Sequence, residues 1–384
     1  MHLEELVRRE FPPRDNLIHL NHAGVAPWPA RTAEAVCRFA EENARFGPLH
    51  YERWLKVEHE LRRQAQALLN APSPEDIALV KNTSEGLSMV AYGLQWQSGD
   101  NVVISDAEFP SNRIVWESLG DLGVEVRQAR LAMAETPEDA LFAATDEHTR
   151  LISISSVQYA SGLRMDLARI GAWCRAHGVL FCVDAIQSLG ALPCDVQAIG
   201  ADFLVADGHK WLLAPEGLAL FYVAERVRPA LRPTHYGWHM TEAPHDFERR
   251  NWKPAASARR YECGSPNMLG IHALSASLSL ILEIGLDNIS RIILDNTSYL
   301  IERIEEISGM SVHSPQDPQR RSGIVSCCHA SRPSMEIVHY LREHGVICAE
   351  RAGNVRFSPH FYTERAHLEH ALGLLEAALQ QGGS

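Results

Sequence analysis

The sequence predicts an α/β fold: a large domain with a mainly parallel sheet between helices, then a smaller C-terminal α+β domain. From residue 100 to 225, short apolar runs at 102–105, 151–157, 179–183, 203–206 and 218–223 alternate with helical segments. Continuous runs of this kind suit strands buried on both faces, as parallel strands between helices are. Beyond Gly285 the texture changes to amphipathic helices interleaved with short strands, which marks the second domain. The expected division is residues 16–284 for the large domain and 285–384, together with 1–15, for the small one. With 384 residues and 46% hydrophobic content, the chain can bury both cores.

Residues 1–15 read as a short amphipathic helix ended by Pro12-Pro13, because the residue before a proline is pushed out of the helical region. Residues 18–29 form an extended Gly/Pro-punctuated segment that carries His19 and His22, and 30–70 read as helices. At 81–87, Asn82 with Glu85 has the form of a capping box, and Leu87, Val90, Ala91 and Leu94 follow at helical spacing. A second helix is framed by Asp166 as N-cap and Gly178 after its end. Residues 225–262 are irregular and rich in Pro, Arg, His and Trp, too long for a simple connection and suited to a functional or interface loop. A long apolar helix spans about 269–284, and strands are expected at 323–328 and 345–349.

Lys plus Arg number 36 against 48 Asp plus Glu, and the net charge of -12 disfavours non-specific attraction to nucleic acid or anionic lipid. No run reaches the ~20 apolar residues of a membrane span, and the first ten residues lack the apolar stretch of a signal peptide. A cytoplasmic protein with small-molecule chemistry is expected. The eight cysteines stand singly or as the pair Cys327-Cys328 with no C-x-x-C spacing, so neither a metal site nor a disulfide framework is expected.

Ligands of parallel α/β sheets collect at the carboxyl ends of the strands. There the sequence places Glu108 and Phe109, then Gln158 and Tyr159, then Asp184 and Gln187, then Asp207, His209 and Lys210. A lysine just beyond one buried strand, with an acid beyond another, is either a buried ion pair or the basis of Schiff-base chemistry with an aldehyde cofactor. The helix that starts near Thr83 and Ser84 offers free N–H groups and hydroxyls to an anion, or is an ordinary N-cap. No Gly-x-Gly-x-x-Gly follows a strand and no Walker pattern occurs.

Thr83-Ser84-Glu85-Gly86, Asp184-Ala185-Ile186-Gln187, Gly208-His209-Lys210, Gly264-Ser265-Pro266-Asn267 and the segment from Arg356 to Tyr362 occur in an order and spacing that resemble the class V aminotransferase superfamily. The resemblance covers about residues 18 to 375 and implies fold type I, pyridoxal 5'-phosphate as cofactor, an amino-acid substrate and a homodimer with a shared active site. It makes Lys210 the residue that condenses with the cofactor and later moves the Cα proton, Asp184 the partner of the pyridine nitrogen and Gln187 that of the ring's phenolic oxygen. Phe109 would stack on the ring, where many relatives carry histidine. Thr83, Ser84 and His209 would hold the phosphate, with Ser265 reaching it from the neighbouring subunit, and Arg356 would clamp the substrate carboxylate.

Three departures stand out. Asp207 replaces a small hydroxyl residue, so it either points away from a phosphate or orders the Arg- and His-rich loop. Tyr159 stands where relatives often carry asparagine. The loop that holds a persulfide-forming cysteine in group II cysteine desulfurases is missing, since only 352–355 separate Arg351 from Arg356. Cys348 reads as core. Elimination from a cysteine-like substrate, as by a C–S lyase or desulfurase, is the first reading, simple transamination the second, and a cofactor-binding protein without turnover the third. His22, His50, Tyr159 and His235 are candidates for protonating a leaving group, with His22 and Tyr159 also placed against the substrate.

Overall fold

The computed structural model describes residues 3–12 and 17–380; the rest of the expected first helix and the Gly-rich tail lie outside the described residues. Helix α1 (Leu3–Glu10) and the short strand β1 (Ile18–His19) precede helices α2 (Ala30–Phe46) and α3 (Tyr51–Leu69). Strand β2 (Ile77–Val80) leads into α4 (Thr83–Gly93), and β3 (Asn101–Ser105) is followed by α5 (Ser111–Glu117), β4 (Glu125–Ala129) and α6 (Pro137–Ala143). Then come β5 (Thr149–Ser155), α7 (Leu167–His177), β6 (Leu180–Asp184), α8 (Val196–Ile199), β7 (Phe203–Asp207) and β8 (Ala219–Val223). The expected caps form: Asn82 accepts the Glu85 N–H at 2.9 Å, Asp166 accepts that of Arg169 at 3.0 Å, and Gly178 takes the left-handed position at φ 68°. Glu85 completes the cap one residue early, on the Lys81 N–H, rather than on Asn82.

The seven strands β2 to β8 make one sheet in the order β2-β8-β7-β6-β5-β3-β4. β4, β3, β5, β6 and β7 run parallel. β8 is antiparallel to both β7 and β2, so the expected run 218–223 is a strand but not a parallel one. The chain passes from β3 outward to β4, then returns across β3 to β5 and continues the other way. That reversal between β3 and β5 opens the crevice in which α/β sheets bind ligands. Helices α4, α5 and α7 cover the sheet, and α9 (Met268–Ile284) packs on α2 and α3.

Helix α10 (Leu286–Glu305) follows α9 after a bend of 82°. Beyond it lie β9 (Met310–Val312), β10 (Val325–His329), α11 (Ser334–Glu343), β11 (Val346–Ile347), β12 (Ala349–Arg351), β13 (Asn354–Phe357) and α12 (Arg365–Gln380). Four of these strands form an antiparallel sheet in the order β12-β13-β10-β9, while β11 pairs with β1. The two cores share α10: Ile289 and Ile293 belong to the larger, Leu300, Ile301 and Ile304 to the smaller. The N-terminal segment departs from the expected division at two places, while Ala23 and Ala26 lie in the larger core. Leu6 of α1 packs into the larger core, and Leu20 beside β1 packs into the smaller, because β1 is paired with β11 there. No single described helix is long and apolar enough to cross a membrane.

Candidate active site

Asp184 ends β6, and Lys210 follows the neighbouring strand β7 by three residues. Both are buried, Asp184 2% and Lys210 9% exposed. Burial raises the proton affinity of Asp184, and Glu108 adds to it, against the Ile186 N–H that it accepts at 3.0 Å and the charge of Lys210. Burial lowers that of Lys210, opposed by Asp184 and reinforced by Arg356. The lysine therefore holds its proton less tightly than in water, as an amine nucleophile requires. Ala26 donates its N–H to the His209 carbonyl at 2.9 Å, bringing the 21–26 segment against the lysine turn. That turn closes with Leu213 N–H on the Lys210 carbonyl at 3.0 Å and puts buried Leu213 at φ 57°, a strained conformation for a branched side chain.

Helix α4 opens toward the same crevice. Gly86 lets it approach the sheet: a Cβ there would stand 2.7 Å from Val205 of β7. Thr83 Oγ1 is buried without a partner among the described residues, while Ser84 Oγ meets Ser111 Oγ at 2.9 Å. His209 Nδ1 lies 2.9 Å from Asp207 Oδ1, outside hydrogen-bond alignment. Asp207 is thus turned to His209, and among the described residues no hydrogen bond or ion pair joins it to the Arg- and His-rich loop.

The Phe109 ring, 40% exposed, stands with its centroid 5.7 Å from Lys210 Nζ and packs edge-on against Tyr159 at 5.2 Å. Sequence reasoning gave its neighbour Glu108 no role. The buried Glu108 carboxylate accepts from Ser105, Asn112, Ser155 and Gln158, which come from β3, α5, β5 and the turn after β5. It pins the Phe109 turn to the sheet. An acid with asparagine four residues later is the signal that could have found it.

Arg356 reaches the site from β13 of the small domain and is 1% exposed. Its Nη1 donates to the Tyr159 carbonyl at 2.8 Å and its Nη2 to Asn21 Oδ1 at 3.3 Å; its Nε has no partner among the described residues. No described carboxylate pairs with it. Burial, then the like charge of Arg351, lowers its proton affinity, yet a guanidinium starts from so high a value that it remains a cation. A buried unpaired cation is a receptor for an anion. Just before it, β12 and β13 join through Ala352 at φ 50° and Gly353 at φ 81°, a tight hairpin turn with no room for an intervening loop.

His22 is turned away from the open site. His22 is fully buried with both nitrogens engaged, Nδ1 on the Ser358 carbonyl at 2.8 Å and Nε2 on the Tyr362 hydroxyl at 2.5 Å, so it braces the Arg356 segment instead of touching a substrate. Ser265, expected to act from the neighbouring subunit, is exposed. Away from the site, buried Glu58, His239 and Glu262 bring ligand atoms within 4.8 Å of one another. Arg62 is already the cation there, bonded to Glu58 at 2.6 Å and to Glu262 at 2.7 and 2.8 Å. Cys348 is core, 1% exposed and pushed up to about 12 by burial.

The profile of the family Aminotransferase class-V matches residues 19–368. This chain belongs to that family. The class V chain is 30% identical over 387 residues to a probable cysteine desulfurase of Methanothermobacter thermautotrophicus, covering 95% of each. In fold it matches the apo cysteine desulfurase of Thermococcus onnurineus NA1 with a TM-score of 0.89, 23% identity and 99% coverage of each chain. A complex of the cystine C–S lyase C-DES with cysteine persulfide matches with a TM-score of 0.88 and 24% identity, over 95% of this chain and 99% of that one. The class V chain is a pyridoxal-phosphate enzyme of fold type I. Its own residues fit that cofactor: a deprotonation-prone lysine and, among the described residues, a buried acid with no cation beyond that lysine and an unpartnered hydroxyl at a helix N-terminus.

Proposed function

We propose that this enzyme cleaves a carbon–sulfur bond in a cysteine-like amino acid, releasing sulfide without passing it to a loop cysteine. The observation that carries this is the pairing of a buried, acid-free Arg356 with the tight Ala352-Gly353 turn before it. The first supports an amino-acid carboxylate; the second leaves no place for a persulfide loop. The desulfurase and C–S lyase relatives support the same substrate class.

Bound pyridoxal phosphate supplies an aldehyde that condenses with amines and a ring that takes up the electron pair left at Cα. Lys210 would hold that aldehyde and, once released from it, would take the Cα proton. Asp184 would keep the ring nitrogen protonated, which would relieve the desolvated acid as well. Gln187 would donate to the ring oxygen, Phe109 would cover the ring face, and Thr83, Ser84 and His209 would cradle the phosphate. Arg356 fixes the substrate carboxylate, with Tyr159 beside it. Loss of the Cα proton and of the thiolate from Cβ, then addition of water, gives pyruvate, ammonium and sulfide.

The working unit is a homodimer in which Ser265 of a second copy completes the phosphate cradle. The exposure of Ser265, and of Tyr236, Trp238, Phe247 and Trp252 in the loop before it, supports this. A cytoplasmic site of action agrees with eight free cysteines and no disulfide. The test is a panel of amino acids scored for pyruvate plus sulfide and for pyridoxamine phosphate. Pyruvate is expected with sulfide from cysteine or with cysteine persulfide from cystine; stoichiometric pyridoxamine phosphate with neither sulfur product would replace elimination by transamination.

A further inference from the structure

Trp211, the residue after Lys210, is fully buried, and its indole Nε1–H donates to Gln187 Oε1 at 3.0 Å. On its other side Gln187 donates from Nε2 to the Ala23 carbonyl at 3.1 Å. An indole N–H only donates and a carbonyl only accepts, so the two partners admit one orientation of the amide. Turned over, the amide would set its NH2 against the indole N–H and its oxygen against the Ala23 carbonyl, leaving four buried groups facing their own kind. In the orientation held, the unspent capacity of Gln187 includes one Nε2–H.

Trp211 is itself fixed. Its carbonyl accepts from His360 Nε2 at 3.2 Å, and its ring lies 5.5 Å from that of His360 and 6.2 Å from that of His22. Glycines make room for it: a Cβ at Gly323 would stand 2.4 Å from the indole, and one at Gly190 2.4 Å from the Trp211 carbonyl. Gln187 follows Asp184 by three residues in the turn that leaves β6, so its free N–H belongs to the same crevice as the acid.

We propose that Trp211 is a positioning residue: its indole N–H locks the Gln187 amide so that a donor, never the carbonyl oxygen, meets the negatively charged ring oxygen of the cofactor. This rests on the pyridoxal-phosphate function proposed above. A donor at that oxygen favours its ionised form and so eases loss of the proton shared with the lysine–cofactor linkage. With the lock removed, the amide is free to present its oxygen and the proton is held to higher pH.

The experiment is a pH titration of the visible absorbance of the purified holoenzyme, for the natural protein, Trp211→Phe, Gln187→Ala and the double variant. Phenylalanine keeps most of the buried ring and removes the N–H. The midpoint is expected to rise by about one pH unit in each single variant, and the double variant is expected to match Gln187→Ala alone. Should Trp211→Phe fail to fold, β-(3-benzothienyl)alanine at position 211, an indole isostere without the N–H, gives the same readout. A folded variant lacking the N–H that titrates at the natural midpoint, or shifts that add fully in the double variant, would overturn the positioning role alone. If the natural protein takes up no pyridoxal phosphate and shows no visible band, the underlying function is overturned, and the positioning role with it.

Discussion

Replacing Arg356 tests the substrate clamp most sharply. A guanidinium has five N–H groups; the Tyr159 carbonyl and Asn21 take one each, which leaves three, including the unpartnered Nε–H. Two of these suffice for a carboxylate held bidentately. Hydrogen bonds to charged partners contribute about 1.5–3 kcal/mol each, so loss of both costs about 3–6 kcal/mol, or roughly 10² to 10⁴ in kcat/KM. Arg356→Ala should show that loss on cysteine, while Arg356→Lys, which keeps the charge but not the fork, should lose roughly 10- to 100-fold. The control is cysteamine, which carries the amine and thiol of cysteine but no carboxylate. Kinetics on both substrates, with thermal melting to confirm the fold, should find the preference for cysteine collapsing while activity on cysteamine stays near its original level. An equal loss on both substrates would refute the clamp and leave Arg356 a structural residue.

Glu108→Ala strands Asn112, Ser155 N–H and Gln158 as buried donors without an acceptor; urea unfolding should show a loss of about 3–5 kcal/mol, and a change under 1 kcal/mol by that measure would show the network to be dispensable. Burial pushes His22 well below its usual 6.5 and His360 down to about 3. The folded protein thus refuses protons that the unfolded chain takes up below pH 6.5, so this stability is complete above that pH and is lost on acidification. Each histidine contributes about 1.4 kcal/mol per pH unit. Asp184, whose proton affinity is raised, acts in the opposite sense, so the urea midpoint is best followed from pH 7 to pH 5 in cofactor-saturated protein. A flat profile there would contradict the neutral assignment of both rings. Gly86→Ala presses a methyl group on Val205, with an expected destabilisation of about 1–3 kcal/mol and weaker pyridoxal-phosphate binding, read by titration of the apoenzyme; unchanged affinity would separate α4 from the phosphate cradle.

Much of the fold was legible because its signals are local. The apolar runs around Val103, Ile152, Val183 and Val205 became the parallel strands, and Asn82, Asp166 and Gly178 framed helices where their side chains and φ preferences say they should. β4 escaped notice since Glu-Val-Arg-Gln-Ala is an edge strand with polar, partly exposed positions, and four-residue β2 is too short to show a period. The direction of β8 is set by which neighbours it meets, and its sequence reads the same either way. At the site, strand ends and a helix start marked Lys210, Asp184, Phe109 and Thr83, while Arg356 was singled out only through the family resemblance. Glu108 and Trp211 were not singled out, because the partners of Glu108 on β3, α5, β5 and the turn after it, and those of Trp211 at Gln187 and His360, meet only in the folded chain. His22 misled for the complementary reason: a histidine in a loop beside a site looks like a ligand until Ser358 and Tyr362, more than three hundred residues on, take both its nitrogens.

Helix α10 belongs to both cores at once, through Ile289 and Ile293 at one end and Leu300, Ile301 and Ile304 at the other. Lys210 is fastened to the first core and Arg356 to the second, so the gap between amine and guanidinium works like the jaws of a caliper on a stiff beam. Surface loops can vary without changing that opening. Repacking a single turn of the beam is expected to shift it, and with it how squarely Cα of a carboxylate-anchored amino acid meets the amine.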